Sequence, residues 1–61
     1  MEAVSLERQI ECVEREIRMR ARVYPRWVKA GKLNADAAQE ESAAMQAVLQ
    51  TLLQLRRRMP T

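Results

Sequence analysis

The side chains most able to act as nucleophiles are one thiol, two serine hydroxyls and one phenol, those of Cys12, Ser5, Ser42 and Tyr24. A hydroxyl or thiol nucleophile needs a neighbouring base, and the chain contains no histidine. Glu40 and Glu41 are adjacent in a helical segment, so their carboxylates diverge and cannot work as a pair. No glycine-rich phosphate loop is present. The sequence therefore predicts that the protein is not an enzyme and takes no small-molecule substrate.

Cysteine usage limits metal and redox chemistry in the same way. Cys12 is the only cysteine, which excludes an intrachain disulfide and a Cys/His zinc site, so we expect no metal and no cofactor. We expect Cys12 to be a small, partly buried apolar residue, with an intersubunit disulfide as the alternative. A single thiol suits a reducing compartment, and the apolar segments lack a signal-peptide pattern and are too interrupted to span a bilayer. These features predict a cytoplasmic protein without a membrane anchor.

Length sets the number of domains. The 61 residues allow one domain, 1–61, and the start at Met1 with a polar tail at Thr61 predicts a complete small protein. Below about 70 to 80 residues, a core seldom supplies more than about 3 to 5 kcal/mol without disulfides, metals or a second subunit. Because the first two are excluded, self-association is expected.

Two helices are expected to position these side chains. Apolar residues at Leu6, Ile10 and Val13 continue to Ile17 in steps of four, three and four, the spacing of one helical stripe. Ser5 is a natural N-cap. We expect a first helix over about 5–30, with a kink near Pro25 or a break there, because proline lacks the backbone donor of an interior helical residue.

The connection between the helices is short. Gly31 is placed to end the first helix in a left-handed conformation, and Asn34 is placed to cap the next one. The second helix is expected over about 34–58. A link of about three residues forces the two helices to run antiparallel as neighbours.

The second helix carries more apolar surface than one neighbouring helix can cover. Its large apolar residues cover an arc around the helix axis of well over about 100°, which is the upper limit for the narrow seam that packs on one neighbour. A second copy of the hairpin would bury this surface, giving a four-helix bundle. The predicted fold is therefore an all-α, antiparallel two-helix hairpin that dimerises through Met45, Val48, Leu49, Leu52, Leu53 and Leu55.

Basic residues cluster between Ile17 and Asn34, a segment without acidic residues, and again at Arg56, Arg57 and Arg58. Such clusters can mark nucleic-acid binding. The favoured interpretation is internal neutralisation. The expected pairs are Glu11 with Arg15, Glu14 with Arg18, Glu16 with Arg20, Arg56 to Arg58 with Glu7, Glu11 and Glu14, and Lys29 and Lys32 with Asp36, Glu40 and Glu41. The nucleic-acid alternative would instead use arginines left unpaired on one face, at Arg20, Arg22 and Arg26.

The segment 20–27, with the sequence RARVYPRW, is the part that folding explains least. A proline between the only two aromatic residues, flanked by arginines, is the composition of an interface hot spot. We expect the partner-binding residues to be Arg20, Arg22, Tyr24, Arg26 and Trp27. The alternative is that Tyr24 and Trp27 cap the loop end of the core.

Around this segment the chain resembles a group of small helical-hairpin proteins encoded by phages and prophages of proteobacteria. The resemblance runs from Leu6 to Leu53 and includes MRARVYPRWVKAGKL and AAMQAVLQTLL, with VYPRWVKAG as its most specific part. Small early phage proteins of this kind commonly bind and redirect host proteins. More narrowly, the resemblance suggests a relation to Pseudomonas-phage anti-activator proteins, which silence a quorum-sensing regulator as homodimers.

Three functional hypotheses result. The leading one is a homodimeric phage accessory protein in the host cytoplasm that binds and inhibits or redirects a host protein, such as a transcriptional regulator. The second is a small basic hairpin dimer that binds RNA or DNA. The third is a structural assembly or chaperone-like adaptor.

Overall fold

Helix α1, Leu6–Lys29, begins where the sequence places a cap. The computed structural model describes residues 3–59; the polar tail ending at Thr61 lies outside them. The side-chain oxygen of Ser5 accepts a hydrogen bond from the backbone N–H of Arg8 at 3.1 Å, which satisfies one unpaired donor of the first turn. The predicted N-terminus is confirmed.

Proline does not divide the helix. The α-helical backbone continues through Pro25 without interruption, so the alternative of a stop and a restart at this residue is wrong. Proline removes one hydrogen bond to the residue four positions earlier, which is Ala21. The remaining helical hydrogen bonds and the packing of both ends against the second helix keep the segment continuous.

The connection uses a left-handed glycine. Gly31 has φ of 74°, and Lys32 donates its backbone N–H to the carbonyl of Trp27 at 2.8 Å. Gly31 itself donates to Val28 at 3.1 Å, which completes a Schellman motif. The side chain of Asn34 then accepts from the next two free backbone donors and caps α2, Ala35–Arg58. Both predicted capping residues are confirmed.

The two helices pack against each other as an antiparallel hairpin, and residues 3–59 contain no strand. The ends of the hairpin are joined by an ion pair between Glu7 and Arg56, with 3.6 Å between Oε2 and Nη1. Within residues 3–59, neither helix is long and apolar enough to cross a membrane. The all-helical hairpin predicted from the sequence is confirmed.

The core of one hairpin is small. Among the described residues, only Ile10 and Ala38 are buried, with 3% and 8% of their surface exposed. Met45 and Leu52 follow Ala38 at intervals of seven, so they lie on the same side of α2, facing α1, and they are half-buried. No large side chain is fully enclosed in this part of the chain. Two helices alone therefore cover the apolar surface incompletely.

Candidate protein-interaction surface

Arg20 joins the two helices near the middle of the hairpin. Its Nε donates a hydrogen bond to Oε1 of Glu16 at 2.9 Å, and its Nη1 lies 3.5 Å from Oε2 of Glu41. The guanidinium carbon also lies 5.6 Å from the centre of the Tyr24 ring, within cation–π range. The hydrogen bond to Glu16 is the main cause of a raised pKa for Arg20. The expected pair of Glu16 with Arg20 is confirmed, and the alternative in which Arg20 stays unpaired is wrong.

The Arg20–Glu41 ion pair shows which edges of the two helices lie on the same side of the hairpin. Residues seven apart lie within about 20° of each other on a helix. Trp27 is seven residues after Arg20, whereas Val48 and Leu55 are seven and fourteen residues after Glu41. The exposed side chains of Trp27, Val48 and Leu55 consequently share one side of the molecule.

Toward the loop, this side carries what we call the loop-end patch, formed by Met19, Val23 and Trp27 at intervals of four on α1. The indole of Trp27 is 46% exposed, and its ring centre lies 5.9 Å from that of Tyr24. A groove of about 150 Å³ runs along this patch beside Glu16. Tyr24 is half-buried, so of the two aromatic residues it is the one that covers the loop end of the core, while Trp27 remains available for binding.

Toward the chain termini, the same side carries the open-end patch, formed by Val48, Leu55 and Met59 of α2. These side chains are 45%, 48% and 50% exposed. The other residues predicted for the dimer core are half-buried, namely Met45, Leu49, Leu52 and Leu53. The six predicted residues thus divide into a half-buried set and an exposed pair, Val48 and Leu55.

The opposite side of the hairpin has a shallow groove of about 460 Å³ near the loop. The bulky Tyr24 and Val28 line it together with the small residues Ala21 and Ala38, and the exposed Pro25 forms part of its wall. Large α1 side chains thus meet the small Ala38 of α2 at this groove. The groove follows from that small residue, because no large α2 side chain fills the space beside Pro25.

The five predicted partner-binding residues do not converge. Arg22 lies two residues after Arg20, about 160° around the helix, and faces away from α2. Arg26 and Arg22 are exposed, and no carboxylate of residues 3–59 lies within 4 Å of either. The predicted residues are neighbours in segment 20–27, but they therefore lie on two different faces of α1.

The expected charge neutralisation is only partly present. The pairs Glu16–Arg20 and Glu7–Arg56 form, and Arg8 pairs with Glu11 at 3.5 Å. Among the described residues, no ion pair within 4 Å joins Glu11 to Arg15, Glu14 to Arg18, Arg57 or Arg58 to an acid, or Lys29 and Lys32 to the acids of α2. Those expected contacts are wrong at this distance, and much of the positive charge of α1 is left on its surface.

Sequence reasoning missed two contributors to the exposed apolar side, Met19 and Val23. Their spacing was the available signal, because Met19, Val23 and Trp27 follow one another at intervals of four residues. The side they share could not be identified without the Arg20–Glu41 contact, because the rotation of each helix about its own axis is a tertiary property.

No group of three His, Cys, Asp or Glu side chains within residues 3–59 could hold a metal ion. Cys12 is a free, half-buried thiol. No protein-family model, curated protein or solved structure matches this chain.

Proposed function

We propose that this protein is a homodimeric interaction module that binds another protein and sequesters it or covers its working surface. The observation that carries the proposal is the distribution of exposed apolar side chains. Of the six large apolar side chains exposed among residues 3–59, all except Val4 belong to the loop-end or the open-end patch, on one side of the hairpin. Exposed apolar residues that gather on one side are typical of a protein interface.

The open-end patch supports self-association. Its residues continue the half-buried stripe of Leu52 and Leu49 around α2, so a second hairpin placed on it would extend the existing core. A chain of this length, with two buried residues among positions 3–59, gains the most from such an extension. The dimer is therefore proposed to be a four-helix bundle with Val48 and Leu55 at the interface.

The loop-end patch supports binding of a different protein. Trp27 is large and half exposed, and its ring lies tilted by 34° against that of Tyr24, which limits the conformational freedom it would lose on binding. Tryptophan, tyrosine and arginine dominate the energetics of protein interfaces. Glu16 and Glu41 hold Arg20 at the border between the two patches. The fixed guanidinium forms a polar rim beside the apolar groove.

The biological setting is proposed from the resemblance to phage hairpin proteins. It makes a host protein in the bacterial cytoplasm the expected partner, with a transcriptional regulator as the narrower suggestion. The function proposed is inhibition or redirection by binding, without catalysis. Membership of the anti-activator subgroup is part of this proposal.

Self-association is tested with charge substitutions on and off the open-end patch. Val48→Glu with Leu55→Glu should convert the dimer into a monomer, because burying an unpaired carboxylate at the interface is strongly unfavourable. Gln50→Glu with Gln54→Glu adds the same two charges on exposed positions of α2 outside the patch and should leave the dimer intact. Sedimentation equilibrium gives the masses. A wild-type monomer at micromolar concentration would contradict the proposal.

Partner binding is tested by comparing captured proteins. Immobilised wild type, the Gln50→Glu/Gln54→Glu control and a Met19→Ser/Trp27→Ser variant are incubated with bacterial lysate, and retained proteins are identified by mass spectrometry. The partner should be retained by the first two and lost by the third. If every protein retained by the wild type is also retained by the Met19→Ser/Trp27→Ser variant, the loop-end patch is not the binding site.

A further inference from the structure

A second surface, on the far side of α1 from α2, carries a row of positive charge. We call it the basic stripe. Its members follow one another in steps of three, four, four and three residues: Arg15, Arg18, Arg22, Arg26 and Lys29. This is the spacing of one helical face, and Arg15, Arg22 and Lys29 are separated by seven residues each. Arg22 lies five residues after Ile17, about 140° around the helix from the side that packs on α2.

The charges of the basic stripe are available to a partner. All five side chains are exposed. No carboxylate of residues 3–59 lies within 4 Å of any of them, in contrast to Arg20 on the same helix. Glu16 and Glu41 are already engaged by Arg20, Glu11 pairs with Arg8, and Glu14 forms no ion pair within 4 Å among residues 3–59. Ion pairs within the hairpin therefore do not neutralise the five cations, which remain free to meet a partner's negative charges.

We propose that the basic stripe binds the phosphodiester backbone of double-stranded DNA without sequence preference. Four of its five residues are arginines, whose planar guanidinium matches phosphate oxygens in a two-point contact. Fourteen residues of helix extend about 21 Å, so five cations face a strand that carries one phosphate per about 3.4 Å of duplex axis. The row of cations on the helix therefore matches the regular row of phosphates along a DNA strand.

The flanking residues decide the mode of binding. The positions beside the basic stripe, such as Met19 and Val23, have no amide or hydroxyl group to read a base edge, and we assign the arginines of the stripe to phosphate oxygens, which carry no sequence information. Single strands are usually held by stacking of bases on aromatic rings. Tyr24 is half-buried on the side of α1 that faces α2, and Trp27 lies five residues after Arg22, about 140° around the helix. The remaining mode of binding is contact with the phosphate backbone of a DNA duplex.

Duplex DNA is favoured over duplex RNA by shape. The major groove of B-form DNA is about 12 Å wide and admits an α-helix, whereas the major groove of A-form RNA is deep and narrow. A single exposed helix that carries its cations on one straight line can lie along the backbone that borders this wider groove. This inference does not depend on the proposed protein partner, because it rests on the cations of the basic stripe and not on the side chains of the two apolar patches.

The experiment measures binding of a fluorescein-labelled DNA duplex of about 20 base pairs by anisotropy, between about 50 and 200 mM salt. The stripe variant is Arg18→Gln/Arg22→Gln/Arg26→Gln. The matched control, Lys32→Gln/Arg57→Gln/Arg58→Gln, removes the same three charges from exposed positions off the stripe. Circular dichroism verifies that both fold as the wild type does.

Wild type should bind the duplex, with an affinity that falls steeply as salt is added. The stripe variant should bind at least about tenfold more weakly, and the slope of log affinity against log salt should be shallower by about 3, since each lost phosphate contact contributes about 0.9. The control should stay within about threefold of wild type, because its charges lie outside the proposed contact.

Three results would overturn the inference. Equal losses in the two variants would mean that only net charge matters. Displacement of the DNA by poly-glutamate at equal charge concentration would identify an acidic protein surface as the better occupant. Tighter binding to a duplex RNA or to single-stranded DNA of the same length would assign the basic stripe to another nucleic acid.

Discussion

The guanidinium of Arg20 on α1 lies 3.5 Å from the carboxylate of Glu41 on α2, across the middle of the hairpin. The two residues are 21 positions apart in the sequence, and their contact shows how the helices are rotated against each other, with both apolar patches on one side. Arg20 is 22% exposed, so it is shielded from solvent more than its partner, which is 61% exposed.

Loss of this ion pair should cost little stability. Glu41→Gln should lower the free energy of unfolding by less than about 1 kcal/mol, because an exposed carboxylate gains little from a pair in water. Arg20→Ala should cost more, since it also removes the hydrogen bond to Glu16 and the contact with the Tyr24 ring. Urea unfolding followed by circular dichroism compares the two. Equal effects would show that Glu41 is the more important partner.

Ile10 is the large side chain that the hairpin buries best. Ile10→Ala should lower the free energy of unfolding by about 2 to 5 kcal/mol, the range for deleting a buried aliphatic side chain. The control is Val4→Ala, which truncates a side chain that is 60% exposed and should change stability by less than about 0.5 kcal/mol. Urea titrations at two protein concentrations measure both effects. Similar midpoints for the two variants would mean that the core lies elsewhere.

Gly31 tests the backbone of the loop. A Cβ at this position would meet no atom within 4 Å, so Gly31→Ala carries no steric cost beyond the left-handed φ of 74°. The substitution should destabilise the hairpin by about 1 to 2 kcal/mol. Gly31→Asn should cost less, because asparagine tolerates this conformation better. Thermal melting provides the comparison, and an unchanged melting temperature for Gly31→Ala would exclude a strained turn.

Trp27 is expected to be an anchor for the protein partner. Trp27→Ala should weaken partner binding by about 2 kcal/mol or more, as for other interface hot spots, and should affect folding less because the indole is half exposed. Arg22→Ala with Arg26→Ala should weaken it less, since both residues lie away from the loop-end patch. Calorimetry with the identified partner measures both affinities, alongside melting curves. A larger loss from the arginine pair would move the site to the outer face of α1.

Local chemistry determined the elements. The caps at Ser5 and Asn34, the left-handed Gly31 and the spacing of apolar residues are properties of short segments, so the sequence predicted both helices and the hairpin to within a residue or two. It left open whether Pro25 breaks the helix, because the loss of one hydrogen bond is small enough for neighbouring turns and packing to decide the outcome.

The tertiary structure alone decided which surfaces exist. Neighbours in the sequence such as Arg20 and Arg22 diverge by about 160° around the helix, so the composition of segment 20–27 could not show which of its residues act together. The pairing of Arg20 with Glu41, the exposure of Trp27 and the unpaired basic stripe depend on how each helix is rotated against its neighbour. That rotation is set by packing between residues far apart in the chain, through Ile10 and Ala38 above all, and periodicity within one helix carries no information about it.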